Sequence, residues 1–143
     1  MEKMQRRATK LVPELRDLPY ETRCEVLGLP LLTERRIRGD MLENFKILNG
    51  YENIDSGRFF RLAAEQNEDD PLGGIETRGH SQKLEKSRYD HFLRMRFFDA
   101  RVINKWNALP ETVISSNSIN SFKSNYDRHI IDLKRRGRMY DFF

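Results

Sequence analysis

Apolar residues recur along most of this chain at intervals of three and four, the period of a helix with one buried face. Ile37, Met41, Phe45 and Leu48 form the clearest stripe, with Thr33 before it as a candidate N-cap and Asn49-Gly50 after it as a stop. Gly39 either weakens this helix by about 1 kcal/mol relative to alanine or admits a close neighbour. Phe98, Val102, Trp106 and Leu109 form a second stripe, ended by Pro110. Ser118 is placed to cap a third, made of Ile119, Phe122, Tyr126, Ile130 and Leu133. Phe45, Trp106 and Phe122 are expected to meet in one core.

The first thirty residues predict two shorter helices. Met4, Ala8, Leu11 and Leu15 mark one over 2–12, stopped by Pro13, with Arg6, Arg7 and Lys10 on its other face. Pro19 suits the first turn of the next, with Asp17 as its cap and Tyr20, Cys24 and Leu27 on one face. Gly28 and Pro30 close it. Phe59, Phe60 and Leu62 suggest an anchoring turn. Over 84–97 the period shortens: Leu93, Met95 and Phe97 alternate with Arg94 and Arg96, as in a half-buried strand, with Leu84 on its partner. The expectation is a mainly α chain, a single small helical domain over 1–143 of about five helices with one short two-stranded β-hairpin. Residues 65–76 read as an exposed acidic loop and 134–143 as a basic flexible tail.

Composition narrows the chemistry. The single cysteine, Cys24, excludes an internal disulfide and a multi-cysteine zinc site, and three scattered histidines suggest no metal. No apolar run reaches the ~20 residues of a membrane span, so an intracellular protein, in nucleus and cytoplasm, is expected. The net charge of +4 is unevenly laid out. Residues 1–38 hold nine Lys/Arg against six Asp/Glu, 39–77 three against nine, and 78–105 eight against three. Basic stretches of this kind neutralise phosphates or simply solvate helix faces.

Four blocks, in order, carry a family resemblance. They are MEKMQRRATKLVPELRDLPYETRCEVLGLP at the start, RGDMLENFKILNG from Arg38, TRGHSQKLEKSRYDHFLRMRFFDARVINKWNALPETV from Thr77, and SINSFKSNYDRH from Ser118. Together they resemble the C-terminal, post-thumb region of non-LTR (LINE-type, jockey-like) retrotransposon reverse transcriptases. The resemblance implies a fragment or domain of an RNA-directed DNA polymerase that lies downstream of the catalytic palm. It further implies that the first helix docks its apolar face on the thumb while its basic face meets nucleic acid.

The catalytic templates find no match. Two-metal polymerisation needs aspartates held together between apolar strands, and the only adjacent pair, Asp69-Asp70, stands in a polar, Pro- and Gly-rich stretch. There is no Walker loop and no Gly-x-Ser-x-Gly elbow. His80 reads as a locally bonded ring rather than a base. No enzyme activity of its own, no cofactor and no metal are expected. Binding remains: Lys83, Arg88, Arg94 and Arg96 interleave with Tyr89 and neighbouring aromatics, a pattern that tracks phosphates and stacks on unpaired bases. Arg6, Arg7 and Lys10 are the second candidate surface. The expected partner is RNA or DNA, bound weakly and without sequence preference, together with the thumb or palm of a parent polymerase, and no membrane. The alternative is a structural domain that docks on the thumb or a partner protein with no nucleic-acid contact.

Overall fold

The computed structural model describes residues 2–63, 79–86 and 97–137. Six α-helices follow one another there: α1 (Glu2–Thr9), α2 (Tyr20–Val26), α3 (Leu32–Leu48), α4 (Phe98–Asn107), α5 (Glu111–Ile114) and α6 (Ile119–Arg135). Short 3₁₀ turns stand at Pro13–Leu15 and Ser56–Arg58. The chain is mainly α, as the stripes predict. Where one domain is expected, the chain gathers into two compact units, Met1–Gly39 and Asp40–Phe143, with α3 running unbroken through the boundary.

Helix ends follow local chemistry, not always as expected. Leu27 and Asn49 are each followed by a glycine at positive φ, Gly28 at 63° and Gly50 at 69°. The amides beyond them return to the last turn, Leu29 N–H to Cys24 C=O at 2.8 Å and Tyr51 N–H to Lys46 C=O at 2.9 Å. These are Schellman closures, which need a residue free of the Cβ penalty. Ser118 caps α6, its hydroxyl accepting from the Ser121 amide at 3.1 Å. Thr33 and Asp17 do not cap. α3 begins at Leu32, so Thr33 lies inside its first turn, and Pro19 is itself the cap residue of α2. α1 ends at Thr9 rather than residue 12. A residue before proline is pushed out of the α region, and Val12 is extended at φ −80°, ψ 110°. Pro110 does more than stop α4: it is the cap residue of the one-turn helix α5, which raises the helix count to six.

In the first unit α1 contacts α2, and polar bonds tie it to the residues that follow α2 as well. Gln5 Nε2 donates to the Pro30 carbonyl at 3.2 Å, and Thr33 Oγ1 donates to Glu2 Oε1 at 2.6 Å. Arg23, only 3% exposed, donates from Nε to Thr9 Oγ1 at 3.1 Å and from Nη1 to the Leu18 carbonyl. A buried cation is costly unless hydrogen-bonded, and here the acceptors are neutral oxygens with the Tyr20 ring 5.9 Å from the guanidinium. Met4 and Leu11, expected to face inward, are instead 72% and 79% exposed.

The second unit is built on aromatics. Phe45 and Phe122 stack at 4.4 Å, and Phe122 lies 6.1 Å from Trp106 and 6.2 Å from Tyr126. Phe45, Trp106 and Phe122 are all buried, as the three stripes require. Asp40 on α3 and Arg101 on α4 form a two-bond fork, Nε to Oδ2 at 2.7 Å and Nη2 to Oδ1 at 2.8 Å. Such paired bonds fix orientation as well as adding energy.

The expected hairpin takes a different form. Among the described residues there is no strand, only an isolated antiparallel bridge between Leu62 and Leu84. Residues 93–96 lie outside the described residues, and Phe97, expected on the buried face of a strand, is the exposed cap residue of α4. The bridge is flanked by Ala63 N–H to Lys83 C=O and Glu85 N–H to Arg61 C=O, both 2.8 Å. In that pattern the amide and carbonyl of Leu84 point away from Leu62. The Asn107 side chain takes both: its Oδ1 accepts from Leu84 N–H at 2.9 Å and its Nδ2 donates to Leu84 C=O at 2.8 Å. A primary amide thus stands where a third strand would.

Two expectations follow for stability. Trp106→Ala should lower unfolding free energy by about 3–5 kcal/mol, the usual cost of an aromatic truncated in a core, read from urea denaturation. An unchanged midpoint would remove Trp106 from the core. Asn44 is fully buried, and among the described residues neither amide atom has a hydrogen-bond partner. Leucine has the same branched outline without the polar atoms, so Asn44→Leu should stabilise by about 1–3 kcal/mol, the cost of an unmet buried polar group. A lower thermal midpoint would show that the amide is satisfied.

Candidate nucleic-acid interface

The basic face of α1 is set by how the helix is held. Glu2, Gln5 and Thr9 turn inward, so the side chains between them turn out. Arg7 and Lys10 are exposed, and Lys3 stands one turn before Arg7, so positions 3, 7 and 10 share one side. Arg6, expected with them, is exposed as well, but its charge is shared with neighbours in the unit. Its guanidinium lies 4.9 Å from the Tyr20 ring centroid and 3.9 Å from the Glu2 carboxylate. The exposed cations without a partner among the described residues are therefore Lys3, Arg7 and Lys10, with Met4, Ala8 and Leu11 exposed beside them. Among the described residues Arg7 and Lys10 have no side-chain hydrogen bond or ion pair, so their charge remains available to a partner.

The Tyr20 phenol between α1 and α2 is pushed up to about 12, chiefly by burial and also by the Cys24 thiol. It is neutral at any physiological pH and adds no charge to this surface.

Lys83 sits differently. Its aliphatic chain crosses Gly79 so closely that a Cβ there would lie 2.2 Å from Lys83 Cε. Its backbone carbonyl supports the bridge to Ala63. The lysine is part of the turn over 79–83 rather than a cation extended into solvent. Arg88, Tyr89, Arg94 and Arg96 lie outside the described residues, as do Asp69 and Asp70. Two further cations of the basic stretch are partly committed. Arg101 is held by Asp40, and burial pushes the Lys105 ammonium down from its ordinary range.

The segment 79–86 is strapped to α4 and α5 by side-chain chemistry. His80 packs edge-on against Trp106, ring centroids 6.1 Å apart, and its Nε2 lies 2.9 Å from the Trp106 carbonyl. A carbonyl only accepts, so Nε2 carries the proton and Nδ1 is bare. Trp106 Nε1 donates to the Gln82 carbonyl at 2.8 Å. The Ser81 amide and hydroxyl both donate to the Glu111 carboxylate, at 2.8 and 3.0 Å. His80 is thus a locally bonded ring, as the sequence suggests. The roles of Asn107, Glu111 and Arg23 were not visible there, because each depends on a partner fourteen or more residues away.

No protein-family model matches the chain, no curated protein matches it and no solved structure matches it. Among the described residues no three His, Cys, Asp or Glu side chains gather as metal ligands would, and no helix is long and apolar enough to cross a membrane.

The His80 geometry sets a pH dependence. Burial lowers its affinity for a proton below the ordinary 6.5, more than the Trp106 carbonyl and the Glu111 carboxylate raise it. Protonated Nδ1 would be a buried donor without an acceptor among the described residues. A depressed histidine contributes stability above its unfolded value that is lost as pH falls through its folded one. The thermal midpoint should therefore fall below pH 6.5, and His80→Gln, which keeps a donor to Trp106, should flatten that part of the curve. Parallel curves for the two proteins would exclude His80 as the source.

Proposed function

We propose that this chain is the C-terminal, post-thumb region of a non-LTR retrotransposon reverse transcriptase. In this reading it contributes phosphate contacts to template RNA or target DNA and has no polymerase centre of its own. The observation that carries it is the ordered set of four sequence blocks. A physical regularity supports treating the longest block as a unit. His80, Ser81, Gln82 and Leu84 from its start are bonded to Trp106, Asn107 and Glu111 from its end. Residues that travel together in sequence are thus partners in space. The α1 surface gives the binding role its chemistry, through Arg7, Lys10 and Lys3. In the same reading Arg88, Tyr89, Arg94 and Arg96, which lie outside the described residues, are further candidate phosphate and base contacts.

A second reading is favoured by Met4 and Leu11. Large apolar side chains left exposed in one stripe are a docking feature, and this stripe suits the thumb of a parent polymerase or another protein.

Salt separates the two. Each phosphate neutralised on a single strand contributes about 0.7 to the slope of log affinity against log salt. A labelled oligonucleotide titrated at two salt concentrations should bind with a Kd of roughly 10⁻⁴–10⁻⁶ M near physiological salt, the range of non-specific complexes. Arg7→Ala/Lys10→Ala should reduce affinity on every sequence alike and flatten the slope by about 1.4. A wild-type chain with no salt-dependent binding would overturn the nucleic-acid reading and leave docking through Met4 and Leu11.

A further inference from the structure

A cleft of about 530 Å³ opens between α5 and α6, in the second unit, lined by Thr112, Asn125, Arg128, His129, Ile131 and Arg135 among others. That is large enough for a nucleobase, since small-molecule sites run from roughly 300 to 1,000 Å³. Its floor is fixed: Asn125 Nδ2 donates to the Thr112 carbonyl at 3.3 Å and to Ser116 Oγ at 3.1 Å, tying the two helices. Its rim is cationic. Asp132, the acid of this face, is held by Arg136 at 2.8 Å. Arg128 and Arg135 are exposed, and among the described residues neither side chain has a hydrogen bond or ion pair. Seven residues of helix set them roughly 10.5 Å apart along the axis, on the same side. Between them Ile131 is 51% exposed, and burial lowers the proton affinity of the half-buried His129 ring.

We propose that this cleft binds single-stranded nucleic acid, with Arg128 and Arg135 on the phosphates and an unpaired base lying against Ile131 and His129. The site rests on the nucleic-acid reading above but uses none of the residues on which that reading stands. The charge pattern favours a polyanion, and the apolar surface between the cations favours one that carries a flat, weakly polar group at each step. An acidic peptide supplies the first and not the second.

The test is fluorescence anisotropy on the full chain with a labelled twelve-nucleotide oligouridylate at 50 and 200 mM salt. Arg128→Ala/Arg135→Ala should weaken binding at least tenfold at the lower salt and flatten the salt slope by about 1.4, two single-strand contacts. Arg128→Lys/Arg135→Lys should keep the slope. Ile131→Asp should weaken binding further than loss of one charge contact does. All these positions lie on the helix surface, and circular dichroism of each variant checks that it is folded before binding is compared. If the alanine pair binds like wild type while Arg7→Ala/Lys10→Ala does not, the cleft is excluded and the broader reading stands. If the wild type binds no oligonucleotide, both fall. If a twelve-residue polyglutamate competes as well as unlabelled oligouridylate, the cleft is a site for acidic protein segments and the proposal is overturned.

Discussion

The second unit depends on one side chain meeting two requirements at once. Trp106 fills the centre of the aromatic core against Phe122, and its indole N–H needs an acceptor inside that core. Gln82 supplies it from a segment with no regular secondary structure. The same segment brings His80, whose Nε2–H needs an acceptor in turn and finds the Trp106 carbonyl. Each group would be a buried, unpaired donor without the other, so strap and helix stabilise each other more than two independent bonds would. Asn107 and Glu111 extend the logic to Leu84 and Ser81, one turn at a time along α4 and α5. A stretch that looks like loop is fixed because its amides and carbonyls answer to a helix.

The long stripes were legible because periodicity over four or five turns repeats the same information. Ile37, Met41 and Phe45 on one stripe and Phe122 and Tyr126 on the other are buried, with Leu48, Ile119, Ile130 and Leu133 half-buried at the ends, and Gly28, Gly50 and Ser118 end or begin helices where their backbone chemistry demands. α5 was illegible for the converse reason: four residues carry no period. α1 shows a subtler limit. Its apolar stripe is real, but a stripe says only that one side differs from the other. Here three polar contacts, from Glu2, Gln5 and Thr9, decide which side faces the unit. Two of them lead to residues 30 and 33, and the third to a buried arginine, partners that no local pattern announces.

The candidate surfaces show the same separation between charge counted and charge available. Arg101 stands in the basic stretch but orients α4 on Asp40. Arg6 lies on the basic face but stacks on Tyr20. Arg23 is counted among the cations and is buried. What remains outward is a smaller set, on α1 and on α6, and it is chosen by geometry rather than density. In the sequence the α6 pair stands out less than the apolar stripe on the same helix. Arg128 and Arg135, seven apart, repeat at helical spacing as faithfully as Phe122 and Tyr126 do.

Gly39 ties these points to dynamics. A Cβ added there would meet nothing within 4 Å, so close packing does not require the glycine. Its effect is the intrinsic one: about 1 kcal/mol of lost helix stability relative to alanine. That weakness falls on the last residue of the first unit, where α3 passes from one unit to the other. On the far side, Asp40 is clamped by Arg101 and Phe45 is stacked in the aromatic core. On the near side, the unit is only thirty-nine residues long, holds a buried cation and leaves Met4 and Leu11 in solvent. Units of that size are marginal by themselves. Local opening takes the least stable segment first, so α1 and α2 are the part of the chain that yields before the core around Trp106 does.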